Sequence, residues 1–205
     1  MGRGLIVAVL AFFVPAYAFA AGPYVSVAGG AVFLEDSDLD ADALGLSGEA
    51  EFDTGFGVWG AAGYGFDAFG AATVRVEAEV AYRQNDVDTI TVSGIGTGSG
   101  GDAEVYALSG MVNLAVDILT WSIVKPYAMV GIGAANVTLE SDDLDVDEDD
   151  TVFAYQAGAG LGFAVTERIT LFGGYRYFAT ADPEFEGVDA EYGSHNIEAG
   201  VRFEF

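Results

Sequence analysis

Along most of this chain apolar and polar side chains alternate with a period of two, the pattern of a β-strand whose faces meet different surroundings. The clearest stretch sets Val74, Val76, Ala78, Val80 and Tyr82 on one side and Arg75, Glu77, Glu79, Ala81 and Arg83 on the other. The last stretch repeats it, with Ile197, Ala199, Val201, Phe203 and Phe205 opposite Asn196, Glu198, Gly200, Arg202 and Glu204. Weaker alternation predicts strands over 23–34 (Val25, Val27, Ala31, Phe33), 49–66 (Phe56, Val58 against Asp53, Trp59) and 102–118 (Leu108, Val112, Leu114 against Ser109, Asn113, Asp117). Two more follow at 151–165 (Phe153, Tyr155, Leu161, Phe163 against Gln156) and 169–180 (Leu171, Tyr175, Tyr177 against Arg176). The Gly/Ala-rich segment 127–140 has strand character without a readable face.

These make eight strands joined by connectors that alternate long and short. The long ones cover 35–48, 85–101, 141–150 and 181–193 and include acidic runs; the short ones lie near 67–70, 119–125 and 166–168. Two classes of connector at two ends predict an eight-stranded antiparallel up-and-down β-barrel. Strands of a dozen residues exceed the ~9–11 needed to cross a bilayer when tilted.

The first residues read differently. Arg3, an apolar run over 5–14, Pro15 and the small-x-small Ala18-Phe19-Ala20 predict a signal peptide over 1–20 that is cleaved before a barrel domain over 21–205. Its removal takes the net charge one unit below −25. That acidity excludes nucleic acid as a partner, since there is no basic surface to neutralise phosphates. It does not imply disorder, because 52% of the residues are hydrophobic. With no cysteine in the chain, stability has to come from strand closure and packing.

Which face turns inward separates two barrels. In a soluble lipocalin-like barrel the interior is apolar, and Gly57-Val58-Trp59 does spell a G-x-W, but inside the second strand. Here Arg75, Glu77, Glu79, Arg83, Arg176, Glu198, Arg202 and Glu204 share one strand face. Enclosed in a small barrel, this mixture of signs can pair, while the apolar face meets lipid. The ending resembles the assembly signal of bacterial outer-membrane β-barrels, a terminal Phe with apolar residues at alternate positions: Ile197, Ala199, Val201, Phe203 and Phe205. With Gly22-Pro23-Tyr24-Val25-Ser26, Lys125-Pro126-Tyr127 leading to Gly131-Ile132-Gly133, and Gly174-Tyr175-Arg176-Tyr177, the chain is similar throughout to small Gram-negative outer-membrane barrels. These are the OmpA-type transmembrane domain and its porin-family surface-antigen relatives. The resemblance implies a monomer in the outer membrane without OmpA's periplasmic peptidoglycan-binding domain. It implies contact with outer-membrane lipid and lipopolysaccharide, recognition of the C-terminal strand by the barrel-assembly machinery, and no cofactor.

Function is less specified. The expectation is a structural or surface-interaction role, with a charge-paired, filled interior, because an eight-stranded barrel has room only for its own side chains, and with acidic connectors that could take a surface ligand. A narrow solute channel is the alternative, through Arg75–Glu77–Arg202 contacts or laterally through the wall as in OmpW-type barrels. A lipid-modifying enzyme is the second. Catalysis would need a nucleophile beside the single histidine, His195; Ser194 is adjacent in sequence and so faces the other way. Asp36, Asp38, Asp40, Asp143, Asp145 and Asp147 put oxygens at alternate residues, which suits a hard cation, but without the Gly and distant Glu of an EF-hand; such runs are usually solvated. The aromatics Trp59, Tyr82, Tyr106, Trp121, Tyr155, Tyr175 and Tyr177 are expected in an interfacial girdle or against lipid.

Overall fold

The computed structural model describes residues 22–35, 37–41, 46–68, 71–92, 96–99, 103–119, 123–141, 146–181, 184–185, 188–189 and 192–205, with side chains described in the barrel portions. In chain order the strands are β1 (Pro23–Leu34), β2 (Ser37–Ala41), β3 (Leu46–Phe52), β4 (Gly55–Ala68), β5 (Ala72–Val92), β6 (Gly96–Ser99) and β7 (Ala103–Ile118). They continue as β8 (Val124–Ser141), β9 (Val146–Ala164), β10 (Ile169–Thr180), β11 (Glu184–Phe185), β12 (Val188–Asp189) and β13 (Gly193–Glu204). Eight of them form the wall. Each of β1, β4, β5, β7, β8, β9, β10 and β13 runs antiparallel to the next, and β13 pairs back onto β1 from Ser194↔Leu34 to Glu204↔Tyr24. The fold is therefore a closed eight-stranded antiparallel barrel. Closure removes the sheet edge, so the backbone groups of the wall find partners without water.

The alternation decides which face closes inward. Along β5, Arg75, Glu77, Glu79, Ala81 and Arg83 are all buried, whereas Val76 is 44% and Val80 62% exposed. Exposed Val25, Val27, Leu108, Val112, Val130, Ile132, Leu161, Leu171 and Ile197 continue the same outer band round the wall. A soluble protein would not present such a continuous apolar belt to water. From Val74 to the ring of Tyr82 the band spans eight residue steps, about 20 Å at ~3.3 Å per step and ~40° tilt. The segment without a readable face, now within β8, turns Tyr127, Met129, Gly131, Ala135 and Val137 inward and Ala128, Val130, Ile132 and Ala134 outward.

Two sequence expectations are corrected. Trp59 is not a girdle residue: it is 3% exposed and points into the lumen, because it has the opposite parity to the outward Phe56 and Val58. Tyr82, Tyr106, Tyr155, Tyr175 and Tyr177 do lie on the outer face, where the Tyr82 ring packs against Phe56 and Tyr106; Trp121 lies outside the described residues. The long connectors are also shorter than expected. β8 and β9 stay paired to Ser141↔Val146 across most of the acidic run, and β5 continues to Val92 and pairs with β6. A polar run is compatible with strand wherever the neighbouring strand supplies the ladder, so charge alone misplaces these ends. Above the barrel, β11, β12, β2 and β3 extend the sheet beside β5.

Candidate functional site: the charged lumen

The site is the space the eight inward faces enclose. Among the described residues four arginines (Arg75, Arg83, Arg176, Arg202) and four carboxylates (Glu77, Glu79, Asp117, Glu198) are buried there. They sort into levels, because successive inward residues on one strand climb the barrel axis.

At the short-turn end, Arg75 donates from Nε to Asp117 at 2.9 Å and from Nη1 to Glu77 at 3.0 Å. The Tyr24 hydroxyl also donates to Glu77. Arg202 meets the same Asp117 at 3.3 Å and reaches Glu204 at 3.2 Å. Asp117 is thus shared by two guanidinium groups. Glu204 sits at the rim, with a side chain 38% exposed.

The next level centres on Arg176. Its Nη1 lies 2.6 and 2.7 Å from the two Glu79 oxygens, and its Nη2 lies 2.9 Å from Glu198. Gln156 donates to Glu79 at 3.0 Å and to Asn113 at 2.7 Å, and Asn113 donates to Glu77 at 3.0 Å. This amide pair joins the two levels into one network.

Higher still, Arg83 is fully buried and donates to Ser109 at 3.0 Å. Its guanidinium lies 3.8 Å from the Phe178 ring centre, and the Trp59 ring stands 5.6 Å from both Arg83 and Arg176. These cation–π contacts take the place of a carboxylate partner. Around Arg83 an apolar cluster of Val105, Ala107, Met111, Ala135, Val137, Ala154, Phe178 and Tyr192 packs together, with Asn85, Thr180 and Ser194 buried beside it. Among the described residues, one space of about 30 Å³ lies beside Arg176 and Trp59, and one of about 180 Å³ at the short-turn end beside Arg75 and Arg202.

All eight charged residues expected on one face, Arg75, Glu77, Glu79, Arg83, Arg176, Glu198, Arg202 and Glu204, lie on the inward side, and Arg83 alone makes no ion pair with a described residue. Sequence reasoning left Tyr24, Trp59, Asn113, Asp117 and Gln156 out of the network. Their signal was parity: each falls on the inward face of its strand, and Tyr24 and Asn113 sit opposite Glu204 and Glu77 across the ladder. Ile197, Ala199, Val201, Phe203 and Phe205 all face outward. Of the candidate cation ligands, Asp36, Asp143 and Asp145 lie outside the described residues, and for Asp38, Asp40 and Asp147 only the strand backbone is described.

His195 lies on the outer face at the long-connector rim, while Ser194 is buried inside. The imidazole Nδ1 is 2.6 Å from the Tyr175 hydroxyl and Nε2 is 3.0 Å from Glu35; Tyr177 donates to the same carboxylate at 3.2 Å. Such a chain ties β1, β10 and β13 together where the wall meets the connectors.

The geometry finds its match among known proteins. Residues 4–205 match the family described as outer membrane protein beta-barrel domain. Neisserial surface protein A is similar in fold, with a TM-score of 0.57 and 22% identity, over 91% of this chain and 99% of that one. The outer membrane protein OprG from Pseudomonas aeruginosa gives a TM-score of 0.52 at 17% identity, over 90% of this chain and 97% of its own. The outer membrane protease OmpT from Escherichia coli gives 0.53 at 9% identity, over 93% and 99%. No curated protein matches the chain in sequence. With an apolar belt outside, a charged lumen inside and a family match over nearly its whole length, the chain belongs to the outer-membrane β-barrel family and resides in the bacterial outer membrane.

Proposed function

We propose that the protein is a non-enzymatic, monomeric barrel with a closed lumen, serving as a membrane-anchored base for a strongly acidic cell surface. The observation that carries this reading is the division of charge. The segments 35–53, 86–104, 140–150 and 181–191, which join or extend the strands at the long-connector end, hold 25 of the 32 acidic residues and no lysine or arginine. In outer-membrane barrels the long connectors are extracellular and the short turns periplasmic. Four of the seven basic residues are instead held inside the barrel.

Inside, the Arg176 network and the apolar layer beneath Tyr192 oppose a solute path. Lateral passage finds no support either, since all eight ladders of the wall run without a register shift. The acidic surface suits cationic partners, or divalent ions shared with lipopolysaccharide. Planar-bilayer recording tests the closed lumen. The expected result is no discrete conductance from the native protein or from Arg202→Gln, and steady single-channel steps from the native protein would refute it. The enzymatic reading is tested through lipid A mass. Expression should leave it unchanged; a shift abolished by His195→Ala would make the Tyr175–His195–Glu35 chain catalytic.

A further inference from the structure

The outer rim at the long-connector end carries an arrangement that the charged lumen does not account for. His195 stands on β13 directly opposite Tyr177 of β10, with Tyr175 two residues away on the same face. Glu35 follows β1, and its amide donates to the Gly193 carbonyl at 2.9 Å, which carries the pairing one step past the wall. Its carboxylate then lies over Gly193, where a Cβ would collide with it. Each of the two ligand-type groups is held from behind. Tyr175 meets imidazole Nδ1 at 2.6 Å, and Tyr177 donates to Glu35 Oε2 at 3.2 Å. That leaves Nε2 and Oε1 facing each other at 3.0 Å, on side chains 41% and 48% exposed.

We propose that His195 Nε2 and Glu35 Oε1 chelate a divalent transition cation of the Cu²⁺ or Ni²⁺ class. Two ligands bonded at about 2.1 Å and at right angles stand about 3.0 Å apart, the separation these two atoms already have. One nitrogen and one oxygen in such a setting suit these ions, whereas Ca²⁺ and Mg²⁺ take oxygen ligands. The tyrosines provide the support a metal-binding pair needs. With the imidazole proton on Nδ1 and donated to the Tyr175 oxygen, the Nε2 lone pair is free for the cation, and Tyr177 orients the carboxylate. Among the described residues no third histidine or acid joins the pair, so the remaining positions of the cation open outward to water. The segments at this end contain no lysine or arginine to oppose a cation. The competing account of the same contact is a plain His195–Glu35 hydrogen bond, which expects no metal. Because the site lies outside the wall, it stands or falls independently of the closed lumen.

His195 is the only histidine in the chain, so an imidazole signal has a single source. The test adds one equivalent of Cu²⁺ to the untagged, folded barrel in lipid nanodiscs, with a hundredfold excess of Ca²⁺ to fill sites made of carboxylates alone. Electron spin-echo modulation should then show the remote nitrogen of one bound imidazole, and His195→Gln should abolish it. Glu35→Gln and Tyr175→Phe should each weaken Cu²⁺ binding about tenfold, the first by losing a ligand and the second by releasing the ring. All three variants should keep the heat-modifiable mobility of a folded barrel. Absence of imidazole modulation from the native protein would overturn the proposal. So would Glu35→Gln binding as tightly as the native protein, since His195 would then be a lone surface ligand.

Discussion

The buried network around Arg176 makes the most quantitative claim about stability. Arg176 is 4% exposed and holds two carboxylates, Glu79 and Glu198, that are themselves 4% and 3% exposed. Replacing it by Met leaves both acids in the lumen without their cation, and breaking a buried pair in this way costs about 3–5 kcal/mol. Gln156 and Asn113 offset part of that through their hydrogen bonds to Glu79, so the low end of the range applies to that acid. Neutralising the acids as well, in Arg176→Met/Glu79→Gln/Glu198→Gln, removes the stranded charge and should recover most of the loss, since replacing a whole buried ion cluster is often close to neutral. Reversible urea unfolding in lipid bilayers, read by gel mobility and by the fluorescence of Trp59 beside the guanidinium, reports each variant. At ~1–3 kcal/mol per molar urea, the single variant should shift its midpoint down by at least ~1 M and the triple variant by much less. A single variant within ~0.5 kcal/mol of the native protein, or a triple variant worse than the single one, would refute the claim that charge compensation rather than packing governs this level.

Three further outcomes follow from the same architecture. Val112→Arg, which puts a charge near the middle of the lipid-facing band at a residue 59% exposed, should cost about 2–4 kcal/mol of folding free energy in bilayers. Gly174→Ala should destabilise by about 1–3 kcal/mol, because a Cβ there would stand 2.5 Å from the Tyr127 hydroxyl and 2.8 Å from the Ala159 carbonyl, whereas Gly60→Ala, with nothing within 4 Å, should be neutral or stabilising in the same assay. Deleting Phe205 should lower the yield of heat-modifiable barrel in cells while leaving refolding from urea into bilayers nearly unchanged; an equal loss in both would make the residue a packing element rather than a signal.

The faces of seven strands were legible because one side had to suit hydrocarbon and the other a charged lumen, a contrast that period-two reading detects directly. In β8 the contrast vanishes. Its inward Ala135 and Val137 border the apolar cluster and its inward Met129 lies lower, beside the charged levels, so both faces carry apolar residues and parity alone has nothing to sort. Trp59 was misread because aromatic type was given precedence over its parity with Asp53, although Phe56 and Val58 already marked the outward side. The partners of the charges were harder still. That Asp117 would be shared by Arg75 and Arg202 depends on β13 reaching round to β1, a closure that places residues 85 positions apart in the same ring. The strand ends were illegible for another reason: an acidic run reads as a loop, and only its register against the neighbouring strand reveals a ladder continuing above the membrane.

The placing of four arginines in the lumen, and of none in the long-connector segments, has a consequence for how the molecule meets proteases. Outside the first residues, the remaining basic positions are Lys125, which precedes a proline, and Arg168, and both lie at the short-turn end. Across the segments at the other end a trypsin-class enzyme finds no residue it can accept at the bond it cleaves. Intact cells treated with trypsin should therefore keep this protein whole, while a glutamate-directed protease finds acceptable residues throughout the same segments. In surface-shaving experiments the protein would be missed with trypsin and recovered with the acid-specific enzyme, and the missed result would reflect where the arginines are kept rather than where the protein is.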